Sequence, residues 1–343
     1  MIFVTGGTGF LGAHLLTELV KQNESVIALK RSASSTLNTE KLFSYKFGNE
    51  GTPLFKKIKW VQGDILDPWS LSEVMQGVKE VYHCAAEVDL RDDRPDSIIT
   101  AAEKGTENLV NAALTLGIEK FCHVSSVSAL KDAASFPSGG KLYEGDITEE
   151  DFDDFSFKNA PYSIGKHLAE QQVWRANAEG LKVLVISPSI ILGPWSDYGK
   201  GSISMFTFID KTSTYYTGGV MGFVDVRDVV NSMLLLMKTG PYNERFIINS
   251  ENINFKDFFT AIAKGINKPL PKRKLNTYTL KLFQLLNNLL SKQKISNTMV
   301  EHATGINSFS NKKVVEAIGY KFIPVADSIA ATAKFYIDER REK

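Results

Sequence analysis

Short apolar runs rich in β-branched residues recur along the first half of the chain, and each is followed by a stretch whose apolar positions repeat with the helical period. Ile2 to Val4, Ser25 to Leu29, Ile58 to Gln62, Glu80 to Cys84, Lys120 to Ser125 and Lys182 to Ile186 predict strands. Leu11 to Lys21, Leu71 to Met75, Ser97 to Leu116 and Tyr162 to Ala178 predict the helices between them. Strands that alternate with helices at this spacing form a parallel sheet covered on both faces, so the pattern predicts a doubly wound α/β fold of the Rossmann type. Arg245 to Ile248 reads as a last strand, and from about Ser250 the chain changes to helical patterns and loops.

The first strand-to-helix connection is the run Thr5 to Gly12, TGGTGFLG. Gly6, Gly9 and Gly12 fit a tight turn, a close approach of backbone to an anion, and close packing of helix on strand. The N–H groups of Phe10, Leu11 and Gly12 would open the helix toward a phosphate, where the helix dipole favours negative charge. In such folds the end of the second strand separates the two nicotinamide dinucleotides: a carboxylate there suits the ribose hydroxyls of NAD, a basic group the 2′-phosphate of NADP. Here Lys30, Arg31 and Ser32 follow Leu29 with no carboxylate until Glu40, which points to NADP(H) over NAD(H). Asp64 and Ile65, after the third strand, would border the adenine, while Asp67 before Pro68 reads as a helix cap. Ala85 and Ala86 at the fourth strand's end leave room for a cofactor. Gly105 in mid-helix implies close packing, and Asn108 is a further candidate.

Composition narrows the function classes. The 343 residues suit two domains or one large one, and 43% hydrophobic with 23% charged is ordinary for a globular protein. With 40 basic against 39 acidic residues, no global field attracts nucleic acid. Cys84 and Cys122 sit in apolar runs and read as core thiols, and the five histidines show no metal-ligand spacing, so no metal is expected. The start of the chain has no basic leader, which gives a cytoplasmic expectation. Tyr278 to Leu290 carries Leu282, Leu285, Leu286, Leu289 and Leu290 on a helical stripe interrupted by Lys281, Asn287 and Asn288, too short to span a membrane. It is expected to pack on its own domain, with shallow membrane contact through Lys272, Arg273, Lys274, Lys292 and Lys294 as the alternative.

The chemistry is expected where the fifth strand ends in Ser125-Ser126-Val127-Ser128 and a helix opens Pro161-Tyr162-Ser163-Ile164-Gly165-Lys166. Pro161 suits a first helical turn. Tyr162 and Lys166 are four apart and share a face. A free tyrosine, with a pKa of about 10, is a poor proton donor near neutrality. A nearby ammonium stabilises the phenolate and makes a tunable general acid.

These residues together with Thr5 to Gly12, Asp64, Ala85-Ala86, Ser125-Ser126 and Gly193-Pro194 resemble the extended short-chain dehydrogenase/reductase family, the NAD-dependent epimerase/dehydratase superfamily, over about residues 1–250. The resemblance implies that Ser126 hydrogen-bonds the substrate oxygen, Tyr162 passes the proton, and Lys166 holds the nicotinamide ribose and tunes Tyr162. It also implies that Pro188 and Ser189 pass beside the nicotinamide, and it suggests a homodimer. Residues 1–188, with 220–250 returning, would form the NADP-binding domain, and 189–219 with 251–343 the substrate-binding cap. Asp225 and Asp228 read as helix-starting caps.

Within the family, Ser126-Val127-Ser128 lacks the carboxylates of the 4,6-dehydratases. Lys30-Arg31, Ala129-Leu130 and Ser187 before Pro188 depart from the epimerases. The sequence is more similar to dihydroflavonol-4-reductase-like carbonyl reductases, which share the basic second-strand end and a long insertion between serine and tyrosine. That insertion, Lys131 to Ala160, contains Ser138-Gly139-Gly140 and the acidic run Glu144 to Asp154, and is expected to cover the active site. The resemblance thus implies NADPH-dependent reduction of a small-molecule aldehyde or ketone. A nucleotide-sugar epimerase or a 3-beta-hydroxysteroid-type dehydrogenase using NAD stands as the alternative.

Overall fold

The computed structural model describes residues 1–86, 95–130, 146–151, 160–199, 201–212, 214–290, 300 and 303–341. In the first half, the elements follow in the order β1 (Ile2–Thr5), α1 (Phe10–Lys21), β2 (Val26–Lys30), α2 (Leu37–Phe47), α3 (Gly51–Phe55), β3 (Lys59–Gln62), α4 (Pro68–Val74), β4 (Glu80–His83), α5 (Pro95–Thr115), β5 (Lys120–Val124), α6 (Pro161–Ala178) and β6 (Lys182–Pro188). The second half adds β7 (Ile190–Leu192), α7 (Ser204–Thr212), β8 (Tyr215–Tyr216), β9 (Val220–Asp225), α8 (Val226–Thr239), β10 (Glu244–Ile248) and β11 (Glu251–Asn254). Then come α9 (Phe255–Gly265), β12 (Arg273–Lys274), α10 (Thr277–Leu290), α11 (Lys312–Ile318) and α12 (Val325–Arg341).

Seven strands form one sheet in the order β10-β6-β5-β4-β1-β2-β3, every neighbouring pair parallel. Parallel neighbours require crossovers, and the helical segments between the strands supply them. The strand order turns back between β1 and β4, whose ends register as Thr5 opposite His83. Ligands of open α/β sheets lie in the crevice at such a reversal. One face of the sheet is covered by α1 and α8 through Leu15, Leu16, Leu19, Val229 and Met233. The other is covered by α4, α5 and α6 through Leu71, Leu109, Val110 and Val173.

A smaller sheet, β11-β9-β7, carries a second core of Phe206, Phe223, Phe258 and Phe259, with Phe223 and Phe258 stacked at 4.1 Å between ring centroids. Of the 220–250 segment, β9 lies in this smaller sheet, and α8 and β10 return to the large one. Asp225 caps α8 by accepting the Arg227 N–H at 2.8 Å. Asp228 does not cap; it accepts the Tyr320 hydroxyl at 2.9 Å and the Ile323 N–H at 2.9 Å. Asp67 caps α4 ahead of Pro68, through the Trp69 N–H at 3.1 Å.

Helices α2 and α3 are absent from the sequence expectation. In α2 only Thr39, Leu42 and Phe43 are buried, too few to set a helical period in the sequence. Helix α10 forms as the leucine stripe predicts, with Leu285 exposed. Lys292, Lys294, Ser138-Gly139-Gly140 and both ends of the acidic run fall outside the described residues. Of the insertion, Ile147 is fixed by backbone hydrogen bonds to Ser308 and Ser310, at 2.7 and 2.9 Å. Among the described residues no helix is long and apolar enough to cross a membrane, no metal-binding cluster occurs, and both cysteines are free thiols.

Candidate active site

The glycine-rich turn is shaped by close backbone approaches. Gly6 has φ +73°, and a Cβ there would stand 2.6 Å from the Cys84 and Ala85 backbone. The Gly9 N–H closes the turn on the Gly6 carbonyl at 2.9 Å, and a Cβ on Gly12 would overlap that same carbonyl. Helix α1 starts from Gly9 with no side-chain cap and no acid in its first turn. The N–H groups of Phe10, Leu11 and Gly12 therefore have no intrahelical carbonyl to bond and present a site for an anion. Thr5 is fully buried and braces the turn: its hydroxyl accepts the Ala85 N–H at 3.2 Å and lies 2.7 Å from His83 Nδ1. Thr39 of α2, with no motif to mark it, donates to the Gly7 carbonyl at 3.0 Å.

Around this turn the remaining nucleotide candidates divide. Ala85 is half-buried and Ala86 exposed. Lys30 is half-buried, Arg31 and Ser32 are exposed, and among the described residues neither cation forms an ion pair. Asp64 holds its own loop, accepting the Leu66 N–H at 3.0 Å. Ile65 packs on α5, where a Cβ at Gly105 would meet its Cδ1 at 2.5 Å. Asn108 donates to the Ile65 carbonyl at 3.0 Å, so its amide positions this loop. Ser189 is buried, with both its N–H and its hydroxyl on the Ile248 carbonyl at 3.1 and 3.4 Å, and Pro188 pairs with Ile248 in β10. The Ser189 N–H and hydroxyl thus both belong to the β6–β10 junction.

The structure brings Ser126, Tyr162 and Lys166 together. Ser126 accepts the Ser128 N–H at 3.2 Å and the Ser128 hydroxyl at 3.0 Å, and its side chain lies near enough to Tyr162 to favour the phenolate. Ser125 is turned the other way, donating to Glu170 at 2.8 Å. Lys166 is buried and its ammonium donates to the Val124 carbonyl at 2.5 Å. Burial lowers its pKa to about 8 against the pull of the Glu170 carboxylate. Burial raises the Tyr162 hydroxyl above its ordinary value, and the opposing influence is the Ser126 hydrogen bond. The Lys166 ammonium thus spends one of its three donors on the Val124 carbonyl. His83 is held neutral by burial at about 3, and His123 lies well below its usual range for the same reason.

One further link was invisible in the sequence. His14 of α1, buried with its pKa lowered to about 3, donates from Nε2 to the Pro194 carbonyl at 2.9 Å. It ties the helix behind the glycine turn to Gly193-Pro194. A lone histidine within a helical run carries no spacing signal.

The family model for the NAD dependent epimerase/dehydratase family matches residues 2–249. A Synechocystis sp. protein named as a dihydroflavonol 4-reductase is 29% identical over 276 residues, 79% of this chain and 74% of that protein. Cinnamoyl-CoA reductase 1 of Petunia hybrida is 26% identical over 280 residues, 80% of each. Among solved structures, gox2253 superposes with TM-score 0.80 at 25% identity, covering 100% of this chain and 99% of that one. A UDP-glucose 4-epimerase from Thermotoga maritima superposes with TM-score 0.75 at 20% identity, covering 99% of both chains. The glycine turn, the open helix terminus and the serine-tyrosine-lysine grouping agree with these likenesses, and the chain belongs to the NAD-dependent epimerase/dehydratase family, as an NAD(P)-dependent oxidoreductase.

Proposed function

We propose that the chain is an NADPH-dependent reductase of an aldehyde or ketone. The observation that carries this is the meeting of Ser126 at the end of β5 with the α6 face that bears Tyr162 and, one helical turn on, the buried Lys166. When bound, the reduced nicotinamide supplies a hydride to the carbonyl carbon. Tyr162 then gives its proton to the carbonyl oxygen, and Ser126 holds that oxygen in place. Lys166, cationic up to about pH 8, supplies positive charge on the helix face where the phenolate is left. Phe10, Leu11 and Gly12 hold the pyrophosphate, and Lys30, Arg31 and Ser32 take the 2′-phosphate.

Thr5 and Asp64 support the dinucleotide through the loops they brace, Ile65 borders the adenine, and Ala85 and Ala86 leave the space it lies in. The names of the Synechocystis sp. and Petunia hybrida relatives support reduction over epimerisation, as does the absence of a carboxylate at the end of β2.

Tyr162→Phe is expected to abolish NADPH consumption with mixed aldehydes and ketones while leaving NADPH binding within twofold of the parent, roughly 0.4 kcal/mol. Retained turnover would assign the proton to another group. A dinucleotide that stays bound through purification, with no net NADPH consumption, would move the assignment to an epimerase.

A further inference from the structure

Tyr162, Lys166 and Glu170 stand at four-residue intervals on α6, a spacing that places them on one face. They meet the end of β5 at Ser126, Val124 and Ser125 respectively. The proposed reaction uses the first two of these contacts and leaves the third without a role. Glu170 is fully buried. Its carboxylate accepts the Ser125 hydroxyl at 2.8 Å, the Trp174 indole N–H at 3.1 Å and the Arg245 Nε–H at 2.5 Å. Arg245 in turn donates to the Glu149 carbonyl at 3.0 Å. Well-packed apolar residues replace such buried ion pairs with little loss of stability in many proteins, so what the pair orients matters more than what it stabilises.

We propose that Glu170 is a positioning residue that sets the register of the serine pair. By drawing the Ser125 hydroxyl toward the α6–β10 junction, it leaves Ser126 as the hydroxyl presented to Tyr162. The catalytic consequence rests on the reductase reading, whereas the register is a property of the fold alone. The same carboxylate also lies one turn beyond Lys166 and favours its ammonium form. The other titratable groups around Lys166 are Cys84 and His83 at the end of β4, His123 in β5, and Tyr162 one turn earlier; Cys84 and both histidines are uncharged.

Ser125→Ala tests the register directly, because it removes only the hydroxyl and keeps the Glu170–Arg245 pair. The Ser128 and Ala129 amides bond the Ser126 side chain at 3.2 Å and its carbonyl at 3.0 Å, and report whether Ser126 is held. In Ser125→Ala their hydrogen exchange is expected to speed up about tenfold. Turnover should fall about tenfold with the KM for NADPH unchanged, and Ser125→Thr should restore both. Parental exchange at Ser128 and Ala129 in Ser125→Ala overturns the register. Faster exchange in a protein whose parent reduces no aldehyde or ketone upholds the register and overturns the reductase reading instead.

The double variant Glu170→Gln with Arg245→Gln keeps an acceptor for Ser125 and removes both members of the buried pair. Its loss of activity at alkaline pH should begin at lower pH than in the parent. An unmoved alkaline limb overturns the electrostatic part of the proposal.

Discussion

Lys166 holds its proton only up to about pH 8, because burial disfavours the ammonium more than Glu170 favours it. The charged form is the low-pH form, so what depends on that charge is present below this value and lost above it. Turnover should be level on the acid side and fall about tenfold for each pH unit beyond the midpoint, as for loss of a single proton. His83 and His123 stay neutral throughout this range and add no step of their own. A log kcat profile that stays level well into the range of a free lysine would show that the ammonium plays no part. The three residues proposed to react were legible because a tyrosine and lysine four apart, downstream of a serine-rich strand end, form a pattern with a chemical meaning. Glu170, Thr39 and His14 were not, since each is one polar residue in a helix and its partner is set by the fold: Ser125, the Gly7 carbonyl and the Pro194 carbonyl. Spacing placed Lys166 on the face of Tyr162, but it could not show that the ammonium would also donate to the Val124 carbonyl.

At the scale of elements, short apolar runs rich in β-branched residues made the strands of the large sheet legible to within a residue or two at most ends. Helices α5 and α6 were equally plain, because each buries a broad stripe against the sheet. The segment between Arg31 and Lys57 stayed unread, since α2 offers few apolar positions and is held partly by polar contacts such as Thr39 on Gly7. This segment begins where the proposed cofactor choice is made. Lys30 ends β2 and Arg31 opens the connection to α2, with Ser34 donating back to the Arg31 carbonyl at 3.0 Å to close a turn. That turn leaves Arg31 exposed and without an ion-pair partner among the described residues. Arg31→Ser should therefore weaken NADPH binding about tenfold, or roughly 1.4 kcal/mol, and leave NADH binding within experimental error. Titration of the parent and variant with both dinucleotides reads this directly. An equal loss for both would place Arg31 at the shared pyrophosphate, and no loss for either would remove it from the site.

The whole molecule is joined by its last helix. Phe335 of α12 is buried and meets Tyr45 of α2 edge-on at 4.6 Å between ring centroids, on the flank of the large sheet. One turn on, Glu339 accepts the Ser196 hydroxyl at 2.6 Å and lies 3.8 Å from the Lys41 ammonium. The same helix sends Tyr336 into the smaller core, where its hydroxyl donates to Asp210 at 3.1 Å and its ring stands 4.7 Å from Tyr198. A helix that builds the smaller core and also contacts α2 beside the large sheet couples the two, and this long-range role has no local signature in the sequence. Heating should therefore give one cooperative transition. Phe335→Ala removes a buried aromatic at a cost of about 3–5 kcal/mol, and should move that whole transition down by several degrees without splitting it. Calorimetry of parent and variant distinguishes this from two independent halves, in which one transition would shift and a second would stay where it was. Because α2 follows the Lys30–Arg31 turn, a protein melting as one unit would also gain stability throughout when NADPH binds. The smaller core would then be protected by a ligand held at the large sheet's edge, and in Phe335→Ala the same increment should reappear on the lowered transition.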